Sequence, residues 1–340
     1  MAYTNIDDPS AFFQTALYTG NGGTLAVTND GNSDLQPDWV WTKKRSDTSH
    51  HALVDSSRGA TKQIYSNLTA AEETVSGVTA FNTDGFTLGS NGTANASSGT
   101  FAGWQWKVNG GTTSSNTDGT ITSTVQANTD AGFNIVTYTG NGSNSNFAHG
   151  MGEQPDMVIV KNRDSAANWC VWHKNLTSSY YLQLDTTSSQ QTGPWDGLDP
   201  NSGVVFVYSG GLVNASGSDY VAYIFKGKQG YSKFGKYIGN GSQNGPMVYT
   251  GFKPAFVIMK RTNNTGAWHL FDNKRSGYNY ANDVLQPQAS DAELSSATRE
   301  IDTLSNGFKI RNTGGDYNGS TGLFMYMAWG DVPFKYNNTH

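Results

Sequence analysis

The chain is short of charge: Asp, Glu, Lys and Arg make up 14% of its 340 residues, and only five are glutamates. An average soluble chain carries about 25% charge, and helical bundles or coiled coils are rich in Ala, Glu, Lys and Leu, so those classes are excluded. There is a single cysteine, Cys170, which rules out an intrachain disulfide and a cysteine-based zinc site. No apolar run approaches the roughly 18 residues of a membrane helix, and Met1 to Pro9 has neither the basic nor the apolar region of a secretory signal. The expectation is a protein made in the cytoplasm, without signal peptide or membrane insertion. Basic clusters are equally scarce. With a net charge of −5 and Lys43-Lys44-Arg45 as the longest basic run, a nucleic-acid partner is not expected.

What the chain has in quantity is aromatics, at 12%, together with 40 glycines and 32 asparagines. A disordered chain would be poor in aromatics. Short runs of apolar and β-branched residues alternate with clusters of Gly, Asn, Asp and Ser, which reads as strands joined by turns. The predicted class is all-β.

One pattern occurs three times. Tyr18-Thr19-Gly20-Asn21-Gly22 returns as Tyr138-Thr139-Gly140-Asn141-Gly142 and as Tyr237-Ile238-Gly239-Asn240-Gly241. Each is followed by a proline that opens an apolar run ending in lysine, from Pro37 to Lys43, Pro155 to Lys161 and Pro254 to Lys260. A second apolar segment starts at His51, Trp169 and Trp268, and a turn with a strand follows at Gly85, Gly203 and Gly307. Each copy closes on an aromatic strand, Phe101 to Trp106, Tyr220 to Phe225 and Phe324 to Trp329. The period is too long for a solenoid unit of about 20–50 residues, so each copy reads as a small domain. Several short antiparallel strands in about 100 residues predict a β-sandwich of the jelly-roll or lectin kind.

The expected organisation is three tandem antiparallel β-sandwich domains, residues 1–110, 131–228 and 229–340, with 111–130 as a Gly/Thr/Ser/Asn-rich linker. The connection Lys226 to Lys233 is short, so the second and third copies are expected to dock and the first to sit more loosely. Brief helical turns are predicted at Ala70 to Glu73 and within Ala289 to Arg299.

The repeated Gln-Pro-Asp strand (Gln36-Pro37-Asp38, Gln154-Pro155-Asp156), the Tyr-Thr-Gly-Asn-Gly opening and the closing Val332-Pro333-Phe334-Lys335-Tyr336 resemble a domain of virion proteins of marine bacteriophages, cyanophages and pelagiphages among them. Such proteins are described as tail-fibre or structural proteins with a concanavalin A-like lectin domain. The resemblance covers roughly residues 11 to 338. It implies a β-sandwich fold and a place on the virion surface, as a tail fibre, spike or head fibre, and it carries no catalytic residues. A capsid decoration protein is the alternative.

The residues themselves argue for binding rather than catalysis. Glycosidases pair two carboxyl groups, and the nearest match to a lectin-like glucanase strand, Glu300-Ile301-Asp302-Thr303-Leu304-Ser305, lacks the last acid. A polysaccharide hydrolase is therefore the less favoured reading, and no catalytic residue, metal ligand or cofactor is assigned. His50-His51 lacks metal-site spacing, and a loop from Asp196 to Asp199 is at most a weak calcium site. Asp55 with Arg58, and Asp272 with Arg275, read as loop-bracing ion pairs. Trp39, Trp41, Trp104 and Trp106 read as core, with alternate members facing outward. Trp195, Tyr278, Tyr280 and Tyr317 fall in loops without counterparts in the other copies, beside Asn and Asp. A flat apolar face with amide and carboxylate neighbours is what carbohydrate stacking requires, so these four are the predicted ligand-binding residues. The expected partners are other copies of the chain, as a homo-oligomer with a trimer favoured, other virion proteins, and host-surface carbohydrate.

Overall fold

The computed structural model describes residues 4–195, 197–295 and 298–332. The fold is all-β, with helix confined to three short turns among the described residues, at Pro9–Ala11, Gly92–Asn95 and Gly315–Asn318. The turns expected at Ala70 to Glu73 and Ala289 to Arg299 instead hold the two-residue strands Glu73–Thr74 and Leu294–Ser295.

The three copies build the same sheet. In the first, the opening strand Phe13–Thr19 pairs with the closing strand Thr100–Trp106. That strand pairs with the proline-led Trp39–Lys44, which pairs in turn with His51–Asp55. The order recurs as Phe133–Thr139, Asp219–Phe225, Met157–Asn162 and Cys170–His173, and again as Ser232–Ile238, Leu323–Trp329, Phe256–Arg261 and Trp268–Asp272. A smaller sheet covers one face of each. It has three strands in the first and third copies but two, Ser145–Ala148 and Val204–Val207, in the second.

Residues 111–130, read from composition as a linker, carry the strands Ser114–Asn116 and Ser123–Asn128, which extend the second sheet through Phe133–Thr139. Ser123 and Val125 are buried and Thr124 is exposed, the period-two alternation of a half-buried strand.

The middle of each main sheet is covered on both faces, so its proline-led and closing strands are buried almost throughout. In Met157–Asn162, Val158 and Val160 face the second copy's own core, while Met157 and Ile159 face a core common to all three copies. That common core takes Trp39, Trp41, Trp104 and Trp106 from the first copy, Phe133, Tyr223 and Phe225 from the second, and Phe234, Phe256 and Trp329 from the third. The four tryptophans are all buried and face inward together, because positions two apart share a face and both faces are covered. None faces solvent.

The first copy is not loosely placed. Hydrogen bonds close a ring in which each copy contacts the next in the same way. Ser49 N donates to Ser290 O (2.8 Å), Ala167 N to Thr69 O (2.9 Å) and Gly266 N to Thr187 O (2.9 Å), linking first to third, second to first and third to second. The repeated lysines make the same circuit: Lys43, Lys161 and Lys260 direct Nζ at the carbonyls of Ser290 (3.3 Å), Thr69 (3.0 Å) and Thr187 (3.4 Å). All three lysines are buried, and desolvation pushes each down to about 8. A threefold arrangement of the repeat is thus complete within one chain.

Candidate functional site

Most of the repeated residues are consumed in building this ring. In each Tyr-x-Gly-Asn-Gly segment the asparagine meets a second, distant asparagine. The amide nitrogens of Asn21, Asn141 and Asn240 donate to Oδ1 of Asn95 (2.9 Å), Asn214 (2.8 Å) and Asn318 (2.9 Å). The second asparagines donate back to Oδ1 of the first at 3.1, 3.1 and 3.0 Å. Gly22, Gly142 and Gly241 sit at φ of 73, 74 and 68°, where glycine carries no steric penalty. Tyr18, Tyr138 and Tyr237 donate to the carbonyls of Ala94 (2.8 Å), Val213 (2.6 Å) and Tyr317 (2.8 Å). The motif is a clasp between the opening strand and the segment before the closing strand.

The charged repeats are structural too. Arg58 is fully buried; it pairs with Asp55 and Glu72 (2.7 Å), and Glu72 pairs with Arg163 of the second copy (3.0 Å). The chain Asp272, Arg275, Glu293 and Arg45 repeats this between third and first copies. These pairs therefore bridge copies as well as brace loops. Between second and third copies the corresponding side chains are His173, Leu176, Gln190 and Thr262, which carry no ion pair. His51, buried, accepts from Trp41 Nε1 at 3.0 Å, and His50 hydrogen-bonds Asn67. Among the described residues no group of three or more His, Cys, Asp or Glu is placed to hold a metal ion. Of the loop read as a weak calcium site, Asp196 lies outside the described residues and Asp199 accepts the Trp172 indole N–H at 3.0 Å.

Residues present once remain free for function, and here the four predicted stacking residues divide. Trp195 is 0% exposed, packed in the second copy's core, and Tyr317 is 3% exposed, stacked on His269 with ring centroids 3.9 Å apart. Neither offers a face to a ligand, which corrects their assignment. Trp195 lies in a turn just after the two-residue strand Gln191–Thr192. Tyr317 lies on the short helix that matches Gly92–Asn95, so its position is repeated although its side chain is not.

Tyr278 and Tyr280 are 91% and 51% exposed. They stand on the segment between Arg275 and Asp283, which is longer than its counterpart between Arg58 and Lys62. Asn279 pins this insertion: its Oδ1 accepts from Thr303 N (2.9 Å), and its Nδ2 donates to Thr303 O (3.0 Å). Tyr280 is thereby held with Arg311 over its ring, 5.4 Å from the centroid, and Arg311 is fixed by Asp302 at 2.8 Å. The ring borders a depression of about 430 Å³ lined by Gln243, Asn244, Tyr280, Glu300 and Arg311. A second depression of about 360 Å³ shares Gln243 and Arg311 with the first. Together they give an aromatic edge, amides, a guanidinium and a carboxylate on one face. The sequence signal was the longer third copy, with 53 residues from Pro254 to Gly307 against 48 from Pro37 to Gly85.

A family model described as "Domain of unknown function (DUF7483)" matches residues 8–333. The chain belongs to this DUF7483 family. One family unit therefore spans all three copies, in keeping with a ring whose cores and ion pairs cross between them. No curated protein and no solved structure compared with the chain matches it.

Proposed function

We propose that this DUF7483 protein is a bacteriophage virion surface protein, a tail fibre, spike or head fibre, that binds host-surface glycans without hydrolysing them. In this reading each copy is a lectin-like jelly-roll sandwich and the ring is a scaffold. The observation that carries the reading is the pinned insertion of the third copy, which presents Tyr278 and Tyr280 beside a polar depression while the thrice-repeated motifs are spent on structure. Exposed tyrosine faces with amide and guanidinium neighbours suit sugar rings. A shallow face buries little area, so single sites are weak, and strength comes from several chains in a homo-oligomer or arrayed on one particle.

Architectural decoration of the particle is the second reading. It is favoured by Ile238 and Leu323, cross-strand neighbours that are 61% and 42% exposed. The test is to incubate multivalent protein with algal and bacterial polysaccharides, then measure retained protein and released reducing ends. Retention without new reducing ends supports binding. New reducing ends refute it in favour of a hydrolase, and no retention, with the protein imaged in a regular lattice on the particle, favours decoration.

A further inference from the structure

The second copy closes a side of the fold that the third copy leaves open. In the second copy, Ser123–Asn128 pairs antiparallel with the opening strand Phe133–Thr139. Just before it, Ile121 bridges Phe147 on the free edge of the small sheet and buries its side chain in the second copy's core. One segment thus seals the edges of both sheets. The third copy has no room for such a segment, because its opening strand Ser232–Ile238 follows closely on the closing strand that ends at Phe225. Ser232–Ile238 is the edge of the main sheet and Met247–Tyr249 the edge of the small one. Among the described residues no strand pairs with the outer side of either. Tyr231 O accepts from Gly330 N (2.8 Å) and Gly239 N donates to Gly322 O (2.9 Å), so the odd-numbered residues between them bond to the closing strand. Phe234, Lys236 and Ile238 therefore turn their backbone N–H and C=O groups outward, a template for an added strand.

The side chains select the kind of strand. Residues 232–254 carry Lys233, Lys236 and Lys253 and no acid, whereas the matching spans 13–37 and 133–155 carry Asp30, Asp34 and Glu153 and no lysine or arginine. Lys236 is exposed, and Lys233 reaches across to the small sheet, donating to Tyr249 O at 2.8 Å. Ile238, Leu323, Met247 and Tyr249 are exposed around them. Lysines on an edge also deter pairing, but a guarded edge gains nothing from four exposed apolar side chains. A second copy of the same edge is a poor match: self-pairing gathers four lysines on one short ribbon, and like charges on neighbouring strands repel.

We propose that the open side of the third copy binds an extended acidic segment of a partner protein by strand addition, antiparallel to Ser232–Ile238, with carboxylates meeting Lys233 and Lys236. Main-chain hydrogen bonds supply the affinity and the side chains the selectivity. This surface is separate from glycan binding and does not depend on it.

The second copy supplies the probe. In its register Thr124 opposes Thr137 and Ala127 opposes Asn134, and Thr137 and Asn134 stand at the positions of Lys236 and Lys233. A labelled peptide of residues 120–128 carrying Thr124→Glu and Ala127→Glu is titrated with the whole protein and read by fluorescence anisotropy. The comparison peptides are the unsubstituted segment, a scramble of the acidic one, and the acidic one N-methylated at positions 124 and 126. N-methylation there removes main-chain donors and leaves the charges in place. The acidic peptide should bind about tenfold or more tightly than the other three. Lys236→Glu, at an exposed position, should leave the melting temperature unchanged and remove that advantage. Equal binding of the unsubstituted peptide overturns the acidic assignment. Equal binding of the scrambled or N-methylated peptide overturns strand addition in favour of charge attraction alone. Binding unchanged by Lys236→Glu overturns the proposal as well. No binding of any peptide also overturns it and makes the lysines guards of an unused edge. A dimer of the protein alone in light scattering, broken by Lys236→Pro, gives the edge to a second copy and overturns the partner assignment.

Discussion

Arg58 offers a direct test of how the copies are joined. Its guanidinium is fully buried and holds Asp55, also fully buried, and Glu72, whose side chain is 10% exposed. It also donates to the carbonyl of Lys62 at 3.0 Å. Arg58→Leu removes the cation and leaves Asp55 with Tyr223 Oη (2.8 Å) and the backbone N–H of residue 58 (2.9 Å), and Glu72 with Arg163 alone. Breaking a buried pair in this way costs about 3–5 kcal/mol, a large part of the roughly 5–15 kcal/mol that holds a domain together. The molecule supplies its own control, because the position of Arg58 is Leu176 in the second copy, and His173, Gln190 and Thr262 stand at the positions of Asp55, Glu72 and Arg163. Asp55→His, Arg58→Leu, Glu72→Gln and Arg163→Thr together copy that neutral set, and replacing a whole buried ionic group is often near neutral. The quadruple variant should therefore recover most of what the single one loses. Urea unfolding followed by tryptophan fluorescence measures both. A loss below about 1 kcal/mol for Arg58→Leu, or a quadruple variant less stable than the single one, would refute the reasoning.

Other outcomes follow from the same contacts. Asn318→Ala deletes the clasp of the third copy, four hydrogen bonds between 2.7 and 3.0 Å, and should cost about 2–3 kcal/mol in chemical unfolding. Gly140→Ala would place a Cβ 2.2 Å from Ala215 O and should lower the melting temperature more than alanine at exposed Gly211, which meets nothing within 4 Å. Between about pH 8 and pH 10 stability should rise. Lys43, Lys161 and Lys260 are held down to about 8 by burial, so there the unfolded chain binds more protons than the folded one. Above pH 10 it should fall, because buried Tyr138 and Tyr237 are held well above the usual range by burial and ionise only on unfolding. Lys161→Met should flatten the rise in a pH series of melting curves. Since the common core takes side chains from all three copies, fluorescence and far-ultraviolet circular dichroism should report one coincident transition; separate melting of the first copy would contradict the ring.

The strands are legible in the sequence because the landmarks recur: the lysines and the aromatic closures lie on strands, and each proline stands two residues before one. Ring closure is not. It is made largely by the carbonyls of Thr69, Thr187 and Ser290, and a backbone acceptor leaves no mark on residue choice. The buried lysines that point at those carbonyls were visible as a repeat, but a lysine at a strand end reads equally as a solvated one. Burial of the candidate site residues is hidden in the same way. Trp195 and Tyr317 lie outside strands, and loop position does not reveal whether a side chain turns inward. Asn318 matches Asn95, which aligns Tyr317 with Ala94, an interior position. The length difference of the third copy was the better guide, since an insertion into a repeated frame has no structural duty to the ring.

The claim that function resides on that insertion is tested most directly by a glycan array probed with multivalent parent protein and with Tyr278→Ala/Tyr280→Ala. Both tyrosines are exposed, so the double variant should fold with unchanged stability. The account predicts that the parent is retained on a subset of glycans and that the double variant loses most of that retention. Equal retention of the two proteins, or none of the parent on any glycan, would contradict it.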